Sequence, residues 1–373
     1  MKTLAIIGAS YLQQPLVQRA KEMGIRTICF AWAEGAVCKD VADRFYPISI
    51  VEKEQILEIC KKEHIDGICT IASDVAAPTV AYIAEQMGLV GNSYEASLKA
   101  NNKILMRNAF AASDVPCPKF WCFSEHSPIT DNLSPLPLIV KPSDRSGSLG
   151  VVKIEREEDL LPAIKAAQEY SFKHEAIVEQ FIEGREISVE FISYNGVHYP
   201  LQITDKVTTE APHFVELAHH QPADLTKKQY EEIYELTKRA LTALGVTNGA
   251  SHSEYRITKG GKIYVMEIGA RMGGDFIGSD LVQLSTGYDF LKGVIEVALG
   301  SFTEPQLTEH NYSGVYFLSE ATAYLKPIME QHALPEIVQA EITDSKLRPL
   351  TCSGDRSGYL IYKSDKKLEL NGI

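Results

Sequence analysis

The chain has 373 residues and a mass of 41.3 kDa, more than one core of roughly 100–200 residues accommodates, and its 45% hydrophobic and 23% charged residues exclude a disordered, collagenous or coiled-coil chain. With 37 Lys and Arg against 49 Asp and Glu, the net charge is −12 and no basic cluster offsets it, which argues against nucleic acid as a partner. Apolar runs such as Leu4–Ile7 and Ala109–Ala112 fall far short of the roughly 20 residues a bilayer demands, so neither a membrane span nor a membrane partner is expected.

Leu4–Ile7, after Lys2, is too short for the apolar stretch of a secretory signal and reads as a first strand. A helix near Gln13–Met23, a strand over Thr27–Phe30, a strand over Gly67–Ile71 and a helix over Ala76–Met87 follow, a βαβ pattern with a parallel sheet across residues 1–100. The turn Gly8-Ala9-Ser10 lacks the remaining glycines of a dinucleotide fingerprint, and no acidic residue follows the second strand directly, so NAD is not expected. Asp74 lies just past Gly67–Ile71, where open α/β sheets bind ligands and where a helix cap is equally natural.

A second unit begins near Asn101, with surface connections at Ser113–Pro118 and across Ser127–Pro137. From Leu138 to Glu190 the order is strand, glycine-bearing loop, strand, acidic helix (Glu157–Tyr170), then strands Ala176–Phe181 and Ile187–Ser193, a small α+β module. Residues 227–244 form a long amphipathic helix, and Ser251–Ile257 and Lys262–Ile268 alternate as strands joined by Lys259-Gly260-Gly261. The expected division is an N-terminal α/β unit over 1–100, a central unit over 101–300 with a lid at about 115–185, and a strand-rich unit over 301–373. Seven Cys, at 29, 38, 60, 69, 117, 122 and 352, include no CxxC pair and no zinc spacing, which fits reduced, mostly buried thiols in a cytoplasm.

Four segments carry chemistry. In Leu138–Val151, Lys141 ends an apolar strand before a loop holding Ser146, Gly147, Ser148 and Gly150; small residues let backbone N–H groups approach a polyphosphate, although a hairpin tip has the same composition. No GK[ST] follows, so the loop is not a P-loop. Lys103 and Arg107, four apart, share a helix face, which on spacing alone reads as a solvated basic surface. In Val178–Glu190, Gln180 and Ile182 offer backbone groups to an adenine, Glu179 a further contact and Glu186 a carboxylate for ribose; a hairpin with solvated charges is the alternative. In Gly249–Asp275, Glu254 and Glu267 fall on neighbouring antiparallel strands, where facing carboxylates repel unless cations lie between them, and hard oxygen ligands suit Mg²⁺. Arg271, just beyond, can meet developing negative charge, while His252 shares the Glu254 face and reads first as a packed histidine.

In this order the four segments resemble the ATP-grasp superfamily of carboxylate ligases, over about residues 100–300, and the preceding βαβ unit resembles that superfamily's N-terminal domain. The resemblance implies an α/β plus α+β architecture with a Rossmann-like first domain, a central lid and a small C-terminal domain. It implies ATP with Mg²⁺ or Mn²⁺. Lys103 and Lys141 match the phosphate lysines, Ser146–Gly150 the phosphate-covering loop, Glu179, Gln180 and Ile182 the adenine hinge, Glu186 the ribose carboxylate, Glu254 and Glu267 the metal ligands, and Arg271 the arginine that steadies the acyl phosphate and its adduct. Gly269 departs from the Asn that many members place two residues after the second metal carboxylate, which puts the second ion in doubt.

ASHSEYRI, EIGARMGGD and Thr204–Leu225 are most similar to the branch of L-amino acid ligases and carbamoyl-phosphate-synthase-like ligases, in which Lys206–His220 borders the acceptor pocket; for His219 and His220 a structural role in the loop stays open. The expected activity joins a small carboxylate, activated as an acyl phosphate, to an amine, releasing ADP and phosphate. Carboxyphosphate chemistry on bicarbonate and a non-catalytic nucleotide-binding module are the rivals. Homodimerisation is common in the superfamily.

Overall fold

The computed structural model describes residues 1–125, 133, 135–145, 149–209, 214–331 and 334–370. Strands β1 (Thr3–Ile7), β2 (Arg26–Phe30), β3 (Arg44–Tyr46) and β4 (Gly67–Cys69) form a parallel sheet in the order β3-β2-β1-β4. Every residue of β1 and β4 is buried, because helices α1 (Gln14–Glu22), α2 (Lys53–Lys62) and α3 (Ala77–Met87) belong to the crossovers that cover such a sheet. The expected strand Gly67–Ile71 stops at Cys69; Ile71 instead makes a parallel bridge to Met272, tying this unit to the centre of the molecule.

Helices α4 (Tyr94–Asn101) and α5 (Lys103–Ala112) lead out of it, with Ser93 and Asn102 capping their N-termini through side-chain oxygens. A four-stranded antiparallel sheet follows, built from β5 (Phe120–Phe123), β6 (Leu138–Pro142), β7 (Val152–Ile154) and β8 (Ala176–Gln180) in the order β5-β8-β6-β7. Helix α6 (Glu157–Tyr170) packs Ala163, Ile164 and Ala167 on it. This small module occupies the segment expected to form a lid.

The remaining strands are β9 (Arg185–Tyr194), β10 (Val197–Thr208), β11 (Glu216–Gln221), β12 (Gly249–Ile257), β13 (Ile263–Gly269), β14 (Tyr312–Leu318), β15 (Ile337–Ile342) and β16 (Gly358–Ser364). They make one antiparallel sheet in the order β13-β12-β9-β10-β11-β14-β16-β15. Strands from beyond Gly300 therefore hydrogen-bond directly onto the central unit through the β11–β14 pair. Helix α7 (Lys227–Leu244) covers one face with Ile233, Leu236, Ala240, Leu241 and Leu244; a Thr226–Gln229 capping box starts it and Gly245, in the left-handed region at φ 78°, ends it. The remaining helices are α8 (Val282–Thr286), α9 (Phe290–Ala298) and α10 (Leu325–Gln331), and α9 packs between the parallel sheet and the eight-stranded sheet. No helix among the described residues is long and apolar enough to cross a membrane. All seven cysteines are free; Cys29, Cys38, Cys60 and Cys69 are buried and Cys122 and Cys352 exposed.

Candidate active site

A cleft of about 260 Å³ lies where the small module, the large sheet and the N-terminal unit meet. Its walls include Lys103, Lys141, Glu179, Gln180, Ile182, Glu186, Glu254, Glu267 and Arg271, so nine residues singled out from four separated sequence segments share one cavity. Ser146, Gly147 and Ser148 lie outside the described residues, while Gly150, further along the loop, has φ 72°, and a Cβ there would come within 3.0 Å of Pro142 and of Tyr170.

The floor of the cleft is one face of the large sheet. Alternation along β12 sends His252, Glu254 and Arg256 to that face, and alternation along β9 sends Glu186, Ser188 and Glu190 to it. His252 is the register partner of Glu190, Glu254 of Ser188 and Arg256 of Glu186. Across the next pair, Glu254 stands directly opposite Glu267. Like charges so placed repel, and each is answered by a lysine: Lys206 reaches Glu254 at 2.7 Å and Lys103 reaches Glu267 at 3.0 Å. Lys206 also pairs with Glu186 at 2.9 Å, and this ring of carboxylates holds its ammonium above the ordinary lysine value although burial works the other way. Burial likewise opposes ionisation of Glu254, but Lys206 and His252 hold that carboxyl well below the usual range.

Both Glu254 and Glu267 side chains keep 31% of their surface exposed. Two hard-oxygen donors on adjacent strands, open to one cavity, fit a Mg²⁺ ion that takes its other ligands from phosphate oxygens and water. Among the described residues no group of three or more His, Cys, Asp or Glu comes together as a full protein cage.

The solvated reading of Lys103 and Arg107 is corrected by the structure. Both are buried, because α5 packs that face inward, onto the seam between the small module and β13. The Lys103 ammonium donates to the Arg145 carbonyl at 2.8 Å as well as to Glu267. Arg107 donates to Glu179 at 2.6 Å and to the Met266 carbonyl at 2.6 Å, while Lys141 takes the other Glu179 oxygen at 2.7 Å. Burial would raise the Glu179 pKa, but the two cations outweigh it and hold it at about 2. Lys141 itself is pushed below the usual lysine value, first by burial and then by Arg107 and Lys103, against the pull of Glu179. The Glu179 carboxylate is thus engaged by cations rather than standing free for a base.

The other expected positions show comparable detail. Gln180 gives its N–H to the Lys119 carbonyl at 2.9 Å, and the Ile182 carbonyl lies 3.4 Å from Arg256. Glu186 faces the cleft but is paired with Arg256 at 2.9 Å and with Lys206. His252 is packed, as expected, with its Nδ1 on the fully buried Glu190; Glu190 also accepts the Gly273 N–H at 3.1 Å. Its other nitrogen faces Glu254 at 3.5 Å, and despite burial the two carboxylates push its pKa up to about 9.

Lys206 and Arg256 were not individually legible as cleft residues, although period-two spacing from Glu254 marks Arg256, and spacing from Glu186 marks Glu190, which lies buried beneath His252. Within Lys206–His220, Lys206, Phe214 and Glu216 line the cleft. His219 and His220 are buried behind it, His220 against Tyr362 at 2.9 Å with its pKa pushed down to about 3 by burial.

Residues 134–280, of which Lys141, Glu179, Glu254, Glu267 and Arg271 line this cleft, match the ATP-grasp domain family. The chain is 29% identical over 245 residues to the alanine–anticapsin ligase of Bacillus subtilis (strain 168), covering 59% of this chain and 51% of that one. It is 26% identical over 327 residues to the L-arginine-specific L-amino acid ligase of Bacillus subtilis, covering 83% and 76%. The chain thus spans about half the length of the alanine–anticapsin ligases it matches. Among solved structures, an L-amino acid ligase from Bacillus licheniformis superposes with a TM-score of 0.82 at 24% identity, covering 98% of this chain and 94% of that one. A phosphoribosylglycinamide synthetase from Anaerococcus prevotii does so at 0.78 and 22%, covering 98% and 94%. At these identities the structural likeness speaks for the fold.

Proposed function

We propose that this chain is an ATP-dependent carboxylate–amine ligase that activates a small carboxylate as an acyl phosphate, joins it to an amine, and releases ADP and phosphate. The observation that carries the reading is the cross-strand pair Glu254–Glu267, facing a cleft that also holds Lys103, Lys141 and Arg271. A module that only bound nucleotide could do without a metal-holding carboxylate pair and an arginine beside it.

In this reading Lys141 and Lys103 place positive charge beside the transferring phosphoryl group, and the small module with the loop through Gly150 covers it. Phosphoryl transfer needs position and electrostatics more than a covalent partner. Glu254 and Glu267 would hold Mg²⁺, which when bound would neutralise charge on the phosphate oxygens. The carboxylate substrate attacks the γ-phosphorus, ADP leaves, and the amine attacks the acyl carbon, with Arg271 next to the oxyanion as phosphate departs. Excluding water protects an acyl phosphate from hydrolysis, a second use for the small module. Gln180 and Ile182 meet the adenine and Glu186 the ribose. The units over 1–100 and 101–300, with 301–373 continuing the sheet of the second, and a homodimer in a cytoplasmic setting, belong to the same proposal.

The test adds hydroxylamine to protein, ATP and Mg²⁺ with a panel of carboxylates. A hydroxamate that depends on one class of acid, lost in Glu267→Gln, is the expected outcome. ADP release that requires bicarbonate alone would replace the reading with carboxyphosphate chemistry, and no ADP release with any acid would end it.

A further inference from the structure

Arg271 is gripped from outside its own unit. Asp74, in the turn between β4 and α3, accepts from Nε at 2.8 Å and from Nη2 at 2.7 Å, a two-point carboxylate–guanidinium pair. Nη1 donates to the Met272 carbonyl at 3.3 Å. Three of the five guanidinium N–H groups are thereby spent on orientation, and two remain for an anion in the cleft. The turn that carries Asp74 is itself anchored: Ala72 donates to the Met272 carbonyl at 3.0 Å, Ile71 bridges Met272, and Asn101 donates to the Asp74 carbonyl at 2.7 Å.

We infer that Asp74 is a positioning residue for Arg271, and that Gly269 exists at its place in β13 because the Asp74–Arg271 pair fills the space a side chain there would take. A Cβ on Gly269 would lie 2.6 Å from Asp74 Oδ1 and 3.2 Å from the Arg271 guanidinium carbon. The approach does not come from unusual backbone, since Gly269 is not among the glycines with positive φ. Burial works against the Asp74 carboxylate, but Arg271 holds it below the usual carboxylate range, so the pair is charged on both sides. Because Asp74 belongs to the N-terminal unit, a shift of that unit against the large sheet moves the one cation expected at the acyl centre.

The inference rests on the ligase reading for its kinetic arm and on packing alone for its second arm. Asp74→Asn keeps the volume and removes the charge. Its expected effect is a fall in kcat for carboxylate-dependent ADP release on the order of 10–100-fold, with KM for ATP within about twofold, because the nucleotide contacts are untouched. Asp74→Glu, which keeps the charge, recovers part of the loss. In the second arm Gly269→Ala lowers Tm by about 1–4 °C in the wild-type background and by less in Asp74→Ala, where the atom it strikes is gone. Equal Tm losses in the two backgrounds, or an Asp74→Asn enzyme with wild-type kcat, overturn the inference. Wild-type protein inert toward every carboxylate overturns the ligase reading instead, and the Tm cycle still decides the pairing.

Discussion

Arg107 has no exposed surface, yet it carries a full charge into the seam between α5, the small module and β13. Such burial is tolerated because Glu179 and the Met266 carbonyl meet it at hydrogen-bond distance and Lys141 shares the same carboxylate. Arg107→Leu leaves Glu179 buried with half its partners. We expect a loss of about 3–5 kcal/mol in denaturant unfolding, and wild-type stability would show that the triad is not coupled. The same carboxylate sets an acid limb: its folded pKa of about 2 lies below the ordinary glutamate value of 4.5, so the stability it contributes is present above pH 4.5 and lost as pH falls toward 2. Without Arg107 that loss moves to higher pH. The sequence showed Lys103 and Arg107 on one helix face; it did not show that the face points inward, because a four-residue spacing is identical for a solvated stripe and a buried one.

Elements were more legible than the roles of single residues. Helix α7 runs over Lys227–Leu244 as the periodicity requires, and β12 and β13 pair across the Lys259-Gly260-Gly261 turn, although a bulge at Met266 breaks the alternation of β13. Short-range patterns carry that information because they repeat within the element itself. Contacts between elements are a different matter. Gly67, in β4, abuts helix α9 so closely that a Cβ would overlap the Ala298 carbonyl. Gly67→Ala should therefore force the parallel sheet off α9 and destabilise by about 1–3 kcal/mol, seen as a lower denaturant midpoint with an unchanged m-value. An unchanged midpoint would mean the seam yields freely. Nothing local to Gly67 marks it, since the backbone it must avoid is more than 200 residues away in the chain.

At the scale of the whole molecule the large sheet ignores the division at Gly300: β14 pairs with β11, and β16 and β15 follow. Val315, Phe317 and Ile361 pack with Leu281, so the later strands supply core to the segment just after Arg271. A chain ending at Gly300 would bare the edge of β11 and that apolar surface. We expect it to aggregate or to lose its cooperative transition, and a soluble 1–300 fragment unfolding in one step would contradict this. The sequence by itself determined several of the helices and strands, α3, α6, α7 and the β12–β13 pair among them, the residue types able to handle phosphate and metal, and the likeness that joins four segments, all of which reside in local pattern. Only the tertiary structure decided which charges neutralise one another: Glu179 by Arg107 and Lys141, Glu254 by Lys206, Arg271 by Asp74. Coulomb pairing depends on distance in space and on burial, and neither is written in spacing along the chain.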